Sequence, residues 1–172
     1  VIKIREAQGY SYDTAQASFE LLARRELNQS PNFFEVKRYR VSIERRKNKY
    51  NKMVSLSEAM VVVKVGGEKK LSISESMDEK GSDLGPINAL AKALAKDLGP
   101  FQIIINDMRL VDFKVRITQG GTDAVTCVVI DCEDYQGRRW ATVGVSANIV
   151  DASFEALLDA VNWKLIRDYR PI

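Results

Sequence analysis

Two stretches of this chain share one order of apolar and polar positions, and each predicts three strands followed by an amphipathic helix. Residues 39–43 alternate aromatic, basic, apolar, polar and apolar side chains, and residues 113–117 repeat that order. Residues 58–65 (EAMVVVKV) then match residues 123–130 (DAVTCVVI), and a glycine-containing turn follows each. Two tandem copies of one unit predict a pseudo-two-fold core, whose seam suits a ligand or a second subunit.

The elements of each copy follow from the periodicity of its apolar residues. Strands are predicted near 34–46, 57–66, 68–75, 108–118, 122–133 and 138–145, with helices at 86–98 and 150–167. Trp163 and Ile166 widen the apolar arc of the last helix, which predicts a second buried contact there. The polar, glycine-containing segment 76–84 is predicted to be a mobile loop.

An N-terminal helix is predicted at 12–27, outside the repeat, with an apolar face of Ala15, Phe19 and Leu22. Residues 28–32 contain Ser30 and Pro31 and have the composition of a linker. The predicted fold class is therefore α+β: two pseudo-symmetric βββα units, about 33–100 and 101–172, preceded by a helical segment within 1–30.

The central predicted strands are apolar at both odd and even positions, which indicates that both of their faces are covered. One helix for three strands covers one face only. The other face then needs the second copy of the unit or another subunit, so we expect a homodimer.

The composition limits the environment and the partners of the chain. With 45% hydrophobic and 28% charged residues it is typical of a globular protein, and no stretch approaches the ~20 apolar residues needed to cross a bilayer, so no membrane partner is expected. Cys127 and Cys132 occupy odd and even positions of one strand and cannot bridge each other, and reduced thiols suit the cytoplasm. Because no leader-like segment follows Val1, we expect an internal piece of a longer polypeptide.

Basic residues are concentrated at 37–49, although the net charge is only +3. Glu44 interrupts this stretch, and Arg38, Arg40 and Arg46 fall on the polar side of an alternating strand. A solvated edge strand is the preferred interpretation, and no nucleic acid is expected as a partner. A nucleic-acid-binding module that uses 37–49 is the alternative function from another class.

Catalytic chemistry is poorly represented in the sequence. The chain has no histidine, which excludes histidine general bases and imidazole metal ligands, and two cysteines alone form neither a zinc site nor a Cys/His nucleophile. The carboxylates of Asp131, Glu133 and Asp134 are interpreted as solvated surface. We therefore expect no catalytic centre, metal or cofactor in this chain by itself.

Five segments carry a resemblance to a known family. They are GYSYDTAQASFELLARR at 9–25, GPINAL at 85–90, MRLVDFKVRI at 108–117, GTDA at 121–124 and WATVGVSANIVDAS at 140–153. Together they resemble the C-terminal part of citramalate synthase and of the related 2-isopropylmalate and homocitrate synthases. The resemblance implies a catalytic TIM barrel outside this chain, which holds a divalent metal through a His-x-His pair and condenses acetyl-CoA with a 2-oxo acid. This chain would be the regulatory domain of that acyltransferase, at 33–172.

The resemblance also implies a homodimer that binds a pathway end product, isoleucine for a citramalate synthase or leucine for an isopropylmalate synthase. The residues carried over as the effector site are Ile87, Asn88, Leu110, Asp112, Phe113, Ala124, Thr126, Ser146, Asn148 and Ile149. Helix N-terminal amides suit the ligand carboxylate and Asp112 suits its ammonium group. From the residues alone, a strand start that faces water is the preferred interpretation of Asp112, and pairing with an ammonium group is the alternative. The segment 82–86 (SDLGP) departs from the family's Gly-Asn-Gly-Pro loop.

Overall fold

The computed structural model describes residues 1–78, 84–118 and 124–171. Its helices are α1 (Ile2–Ala7), α2 (Gln16–Glu26), α3 (Leu84–Lys96), α4 (Gln102–Asn106) and α5 (Ile149–Asp168), with a 3₁₀ turn at Gly99–Phe101. Its strands are β1 (Glu35–Lys47), β2 (Met53–Val65), β3 (Glu68–Asp78), β4 (Met108–Ile117), β5 (Thr126–Asp134) and β6 (Arg139–Ser146). The predicted α+β class is confirmed. Two compact units result, one of Asn32–Gln102 and one of Val1–Pro31 with Ile103–Ile172.

The unit Asn32–Gln102 is an antiparallel sheet of order β1-β2-β3 with α3 on one face. Ser57, Val61 and Val65 alternate along β2 and are buried on that face, where Gly85 lies against Ser57 and Gly99 against Val65. Since β1 has a partner on one side only, the described residues bear out the edge strand predicted for the basic stretch.

The second face of this sheet keeps apolar side chains at the surface. Leu71, Ile73 and Met77 of β3 are 55%, 42% and 56% exposed, and the register places them beside Val62, Met60 and Leu56 of β2. Basic side chains of β1 border the same face. The row Leu71, Ile73 and Met77 is called the β3 apolar row below.

The second unit contains a sheet of order β4-β5-β6 with the 20-residue helix α5 on one face. Thr142 Oγ1 donates to Ala156 O at 2.6 Å, and Trp140 Nε1 donates to Ala160 O at 3.2 Å. Val128 and Ile130 of the central strand are buried on this face, which is called the α5 face.

The opposite face of this sheet is covered in part by the chain's own N-terminal segment. Ala15, Cys127 and Val143 form one buried cluster, and Tyr10 and Tyr12 pack against it. The expectation that another copy of the unit or another subunit must cover the second face is therefore wrong for this part of the sheet. The second contact predicted from Trp163 is confirmed, because α2 packs there and Glu20 accepts from Trp163 Nε1 at 2.9 Å.

The register confirms the repeat and corrects its alignment. Each unit has a register shift at the corresponding place in its first strand, between Val36 and Arg38 in β1 and between Leu110 and Asp112 in β4. Tyr39 then pairs with 61 and Phe113 with 130, so 61 corresponds to 130 and not to 126 as the sequence match had it. The shift from 126 to 130 is an even number of residues, so every side chain stays on the same face of the strand in both alignments. The consecutive apolar residues of this strand therefore match equally well in either alignment.

Several predicted boundaries differ from the structure. The N-terminal helix begins at Gln16, after Ala15, whose backbone is not helical, and Phe19 is exposed and not part of its buried face. Helices α1 and α4 were not predicted, since each is shorter than two turns and has little periodicity. Of the predicted loop 76–84, residues 76–78 belong to β3 and 79–83 lie outside the described residues.

Both cysteines lie on β5. Cys127 and Cys132 are both free and buried. Burial raises the pKa of the Cys132 thiol to about 12, so this thiol is not a nucleophile at neutral pH. Within 1–78, 84–118 and 124–171, every helix is too short or too polar to cross a membrane.

Candidate functional site

The ten residues predicted as an effector site are distributed over both units. Ile87 and Asn88 lie in the first turns of α3, where Ile87 is buried and Asn88 is half-buried. The other eight lie in the second unit, on β4, just before β5, on β5, and around the start of α5.

In the second unit, strand register sorts the predicted residues by face. Leu110 pairs with Cys132 and Phe113 with Ile130, which places both on the α5 face. Thr126 pairs with Ser146 on the same face. Val115 and Ile117 continue this face toward solvent, and Ile117 is 69% exposed. The α5 face therefore offers half-exposed apolar side chains beside two hydroxyl groups.

Asp112 lies on the opposite face, because the register shift after Leu110 pairs it with Asp131. Its Oδ1 accepts from Phe113 N at 2.8 Å, and Oδ2 lies 3.4 Å from Lys114 Nζ. The hydrogen bond from Phe113 N and the one from Lys114 lower the pKa of Asp112, which keeps it ionised. A charged carboxylate is thus present, but one copy of the unit does not bring it together with the Phe113 side chain.

The start of α5 is capped by Asn148. Its Oδ1 accepts from Val150 N at 2.8 Å and from Asp151 N at 3.4 Å, and Ser146 Oγ accepts from Asn148 N at 3.2 Å. Ile149 follows with an exposed side chain. A ligand carboxylate at this helix start would compete with the Asn148 cap for the same amides.

The sequence analysis missed a buried charge cluster at the other end of α5. Lys164 is fully buried, and its Nζ lies 2.7 Å from Asp107, 3.0 Å from Asp134 and 2.6 Å from Asp168. Arg138 joins Asp134 and Asp168 at 2.8 Å each. The set Asp107, Asp134, Arg138, Lys164 and Asp168 is called the Lys164 cluster below.

Three converging carboxylates resemble a site for a divalent cation, with ligand oxygens within 4.8 Å of one another. In this protein the Lys164 ammonium group occupies the centre that such a cation would take. The cluster is therefore an internal salt bridge network. A sequence signal existed, since Lys164 and Asp168 lie four residues apart on one helix and Lys164 directly follows Trp163 of its apolar arc.

The interpretation of the 131–134 carboxylates as solvated surface is wrong for Asp134, because this residue is buried. Burial by itself would raise the pKa of Asp134, but hydrogen bonds from Lys164 and from the Arg138 backbone outweigh it and lower the pKa to about 2. Asp131 and Glu133 are partly exposed, as predicted.

A cavity of about 410 Å³ opens between α2, β6 and α5. Glu20, Trp140, Trp163 and Arg167 contribute to its wall, and the two indole rings stack with centroids 5.1 Å apart. None of the ten predicted effector residues lines this cavity.

Comparison with known proteins identifies the family. The model of the LeuA allosteric (dimerisation) domain matches residues 13–165, most of the chain. This chain belongs to the LeuA allosteric (dimerisation) domain family. The match extends across α2, both sheets and most of α5, so the family domain includes the helix that the sequence analysis had placed outside the repeat.

The relatives that resemble the chain are longer proteins, and the chain matches only a part of each. The chain is 42% identical to the (R)-citramalate synthase of Geobacter sulfurreducens over 95% of its own length and 29% of the relative's. It is 38% identical to the (R)-citramalate synthase of Aquifex aeolicus, over 97% of the chain and 30% of the relative. The 2-isopropylmalate synthase of Methanocaldococcus jannaschii is 33% identical over 54% of the chain and 17% of the relative. The chain thus spans about three tenths of the length of the citramalate synthases that it matches.

Proposed function

We propose that this chain is the isoleucine-responsive regulatory and dimerisation domain of a citramalate synthase, an acyltransferase that joins acetyl-CoA to a 2-oxo acid. The observation that carries the proposal is the extent of similarity: the citramalate synthases match nearly the whole chain, whereas the isopropylmalate synthase matches about half. Leucine sensing in a 2-isopropylmalate synthase is the alternative, favoured by that second similarity.

The α5 face supports the binding of a branched amino acid. Phe113, Val115 and Ile117 offer apolar contacts for a branched side chain, and Thr126 and Ser146 offer hydroxyl groups beside them. The start of α5 offers amides for the carboxylate, if the ligand displaces the Asn148 cap. Isoleucine and leucine differ by the position of one methyl branch, which a pocket separates by roughly 1 to 3 kcal/mol.

Millimolar isoleucine is expected to raise the melting temperature of the chain more than leucine or valine does. A ligand that binds only the folded state stabilises it by about 2.7 kcal/mol at a hundredfold excess over its Kd. A larger rise with leucine would instead support the isopropylmalate synthase alternative. If none of the three amino acids raised the melting temperature, the sensing proposal would fail.

Two variants test which side chains bind the effector in the same melts. Phe113→Ala should weaken isoleucine binding at least tenfold if the α5 face binds the isoleucine side chain. Tyr135→Ala, at an exposed aromatic residue on a turn, is the matched control. Asp112→Asn should weaken isoleucine binding only if Asp112 contacts the ammonium group of the ligand. Unchanged affinity in Asp112→Asn would remove that residue from the site.

The β3 apolar row supports dimerisation through the open face of the first sheet, because exposed apolar side chains grouped on one face mark contact surfaces, although Glu75 separates Ile73 from Met77. The chain is expected to have the mass of a dimer by light scattering at high micromolar concentration. Ile73→Glu should shift it to the monomer, while Ile103→Glu, at an exposed position outside the row, should leave the dimer intact. A monomeric parent chain would contradict dimerisation by the isolated chain, and a dimeric Ile73→Glu would exclude the row.

A further inference from the structure

Four side chains along α5 hold the N-terminal segment Val1–Pro31. They are Glu155, Asp159, Trp163 and Arg167, spaced four residues apart and therefore on one side of the helix. Each has a partner in the N-terminal segment. This set is called the α5 polar stripe.

The contacts of the stripe are specific and mostly polar. Tyr10 donates to Glu155, and Trp163 Nε1 and Arg167 Nη2 donate to Glu20 at 2.9 and 2.7 Å. Asp159 accepts from two groups of α2, Ser18 Oγ at 2.8 Å and Arg25 Nη2 at 2.7 Å.

Ser18 connects the same site to the sheet. Its Oγ donates to Asp159 and accepts from Val143 N of β6 at 2.9 Å. A movement of α5 relative to β6 would thus alter the position of α2, because one hydroxyl group bonds to both elements.

Formation of the α5 polar stripe desolvates charged side chains, which purely apolar contacts would not do. Burial raises the pKa of Asp159 and of Glu155, although Arg25 and Tyr10 oppose the shift, so each carboxylate charge is partly desolvated in this contact. Removing one partner of such a contact leaves a buried group unpaired. The attachment of the N-terminal segment is therefore sensitive to small displacements of α5.

The same helix begins at the candidate effector site. Asn148 caps the start of α5, and Ile149–Asp168 is one helix of 20 residues, about 30 Å long. Its first turns lie against β6, where Gly144 approaches Ala152. A ligand that changes the cap at Asn148 thus acts on the first turn of a rigid element whose later turns carry the stripe.

We propose that α5 couples effector binding at its start to the N-terminal segment through Glu155, Asp159, Trp163 and Arg167. This inference rests on the proposed function, in which the resemblance places the catalytic barrel before this segment. Effector and stripe are then two sites on one helix, and occupancy of the first changes how tightly the second holds α2.

Hydrogen exchange of the α2 amides tests the coupling, measured in this chain with and without isoleucine at a concentration that gives a full melting shift. Isoleucine is expected to change the exchange rates at Ser18, Leu21 and Leu22 at least threefold. In Asp159→Asn, which removes the ion pair with Arg25, the melting shift should persist while the change in α2 exchange is lost.

Glu133→Gln is the matched control, because it removes a 2.7 Å ion pair with Arg109 outside the stripe. It should keep both the melting shift and the exchange response. A melting shift without any α2 response in the parent chain would overturn the coupling and leave the proposed function standing. A chain that no branched amino acid stabilises would overturn both.

Discussion

Replacing Lys164 by methionine is expected to lower the free energy of unfolding by about 3–5 kcal/mol. The ammonium group is fully buried and contacts Asp107, Asp134 and Asp168, so its removal takes this cation from all three, while Arg138 still pairs with Asp134 and Asp168. Methionine is similar in length and apolar, so packing is largely kept and the loss is electrostatic. Urea unfolding of the chain, followed by circular dichroism, measures it.

The matched control is Lys114→Met on β4. Lys114 also pairs with an aspartate, but its side chain is 70% exposed and the distance to Asp112 is 3.4 Å. Exposed ion pairs contribute about 0–1 kcal/mol, so the control should unfold at nearly the parent urea concentration. Similar losses in both variants would contradict a special role for the Lys164 cluster.

Acidification should weaken the same cluster in the parent chain. The pKa of Asp134 is lowered from 3.8 to about 2 in the folded state, so the stability that it contributes is present above 3.8 and is lost as pH falls toward 2. Without Lys164, Asp134 loses the largest of the interactions that lower its pKa, although the bonds from Arg138 remain. Lys164→Met should therefore lose less stability between pH 4 and pH 2 than the parent does.

Gly144→Ala is expected to destabilise the second unit by roughly 3 kcal/mol, at the upper end for overpacking. A Cβ at this position of β6 would overlap the Ala152 carbonyl oxygen and lie 2.9 Å from Ala156 N, both backbone atoms of α5. Backbone cannot turn aside as a side chain can, so α5 must move away from the sheet. Urea unfolding reports the loss of stability.

Gly85→Ala provides the comparison at a glycine with room to adapt. Its Cβ would meet the Ser57 hydroxyl at 3.1 Å, and that side chain can rotate, so the expected change stays within about 1 kcal/mol. Because Gly144 lies beside the first turns of α5, Gly144→Ala should also weaken isoleucine binding, seen as a smaller rise in melting temperature with isoleucine. A Gly144→Ala chain as stable as the parent would show that α5 does not pack against β6 this closely.

The repeat was predictable because strand and helix periodicities are local properties of the sequence. Alternation at 39–43 and 113–117 predicted β1 and β4, and the edge position of β1 followed from its basic polar side. The helix pattern at 150–167 predicted α5 to within one residue at each end. The alignment of β2 with β5 was less predictable, because the apolar residues around Val61 and Ile130 match in more than one register.

The candidate site was only partly predictable. The family motifs grouped Phe113, Thr126 and Ser146 in one predicted effector site, and the register puts their side chains on one face. The same motifs gave no sign that Asp112 lies on the other face, because a one-residue register shift in β4 decides that. The site's identity remains a prediction that the proposed melts test.

The sequence by itself determined the two βββα units and their apolar faces, because hydrophobic periodicity specifies secondary structure and the side of each element that must be buried. Only the tertiary structure decided which partners meet those faces. It brought Lys164 to Asp107 and Asp134 and packed the N-terminal segment on α5 through Asp159 and Trp163. These contacts join residues 30 to 143 positions apart in the chain, and no local pattern encodes them.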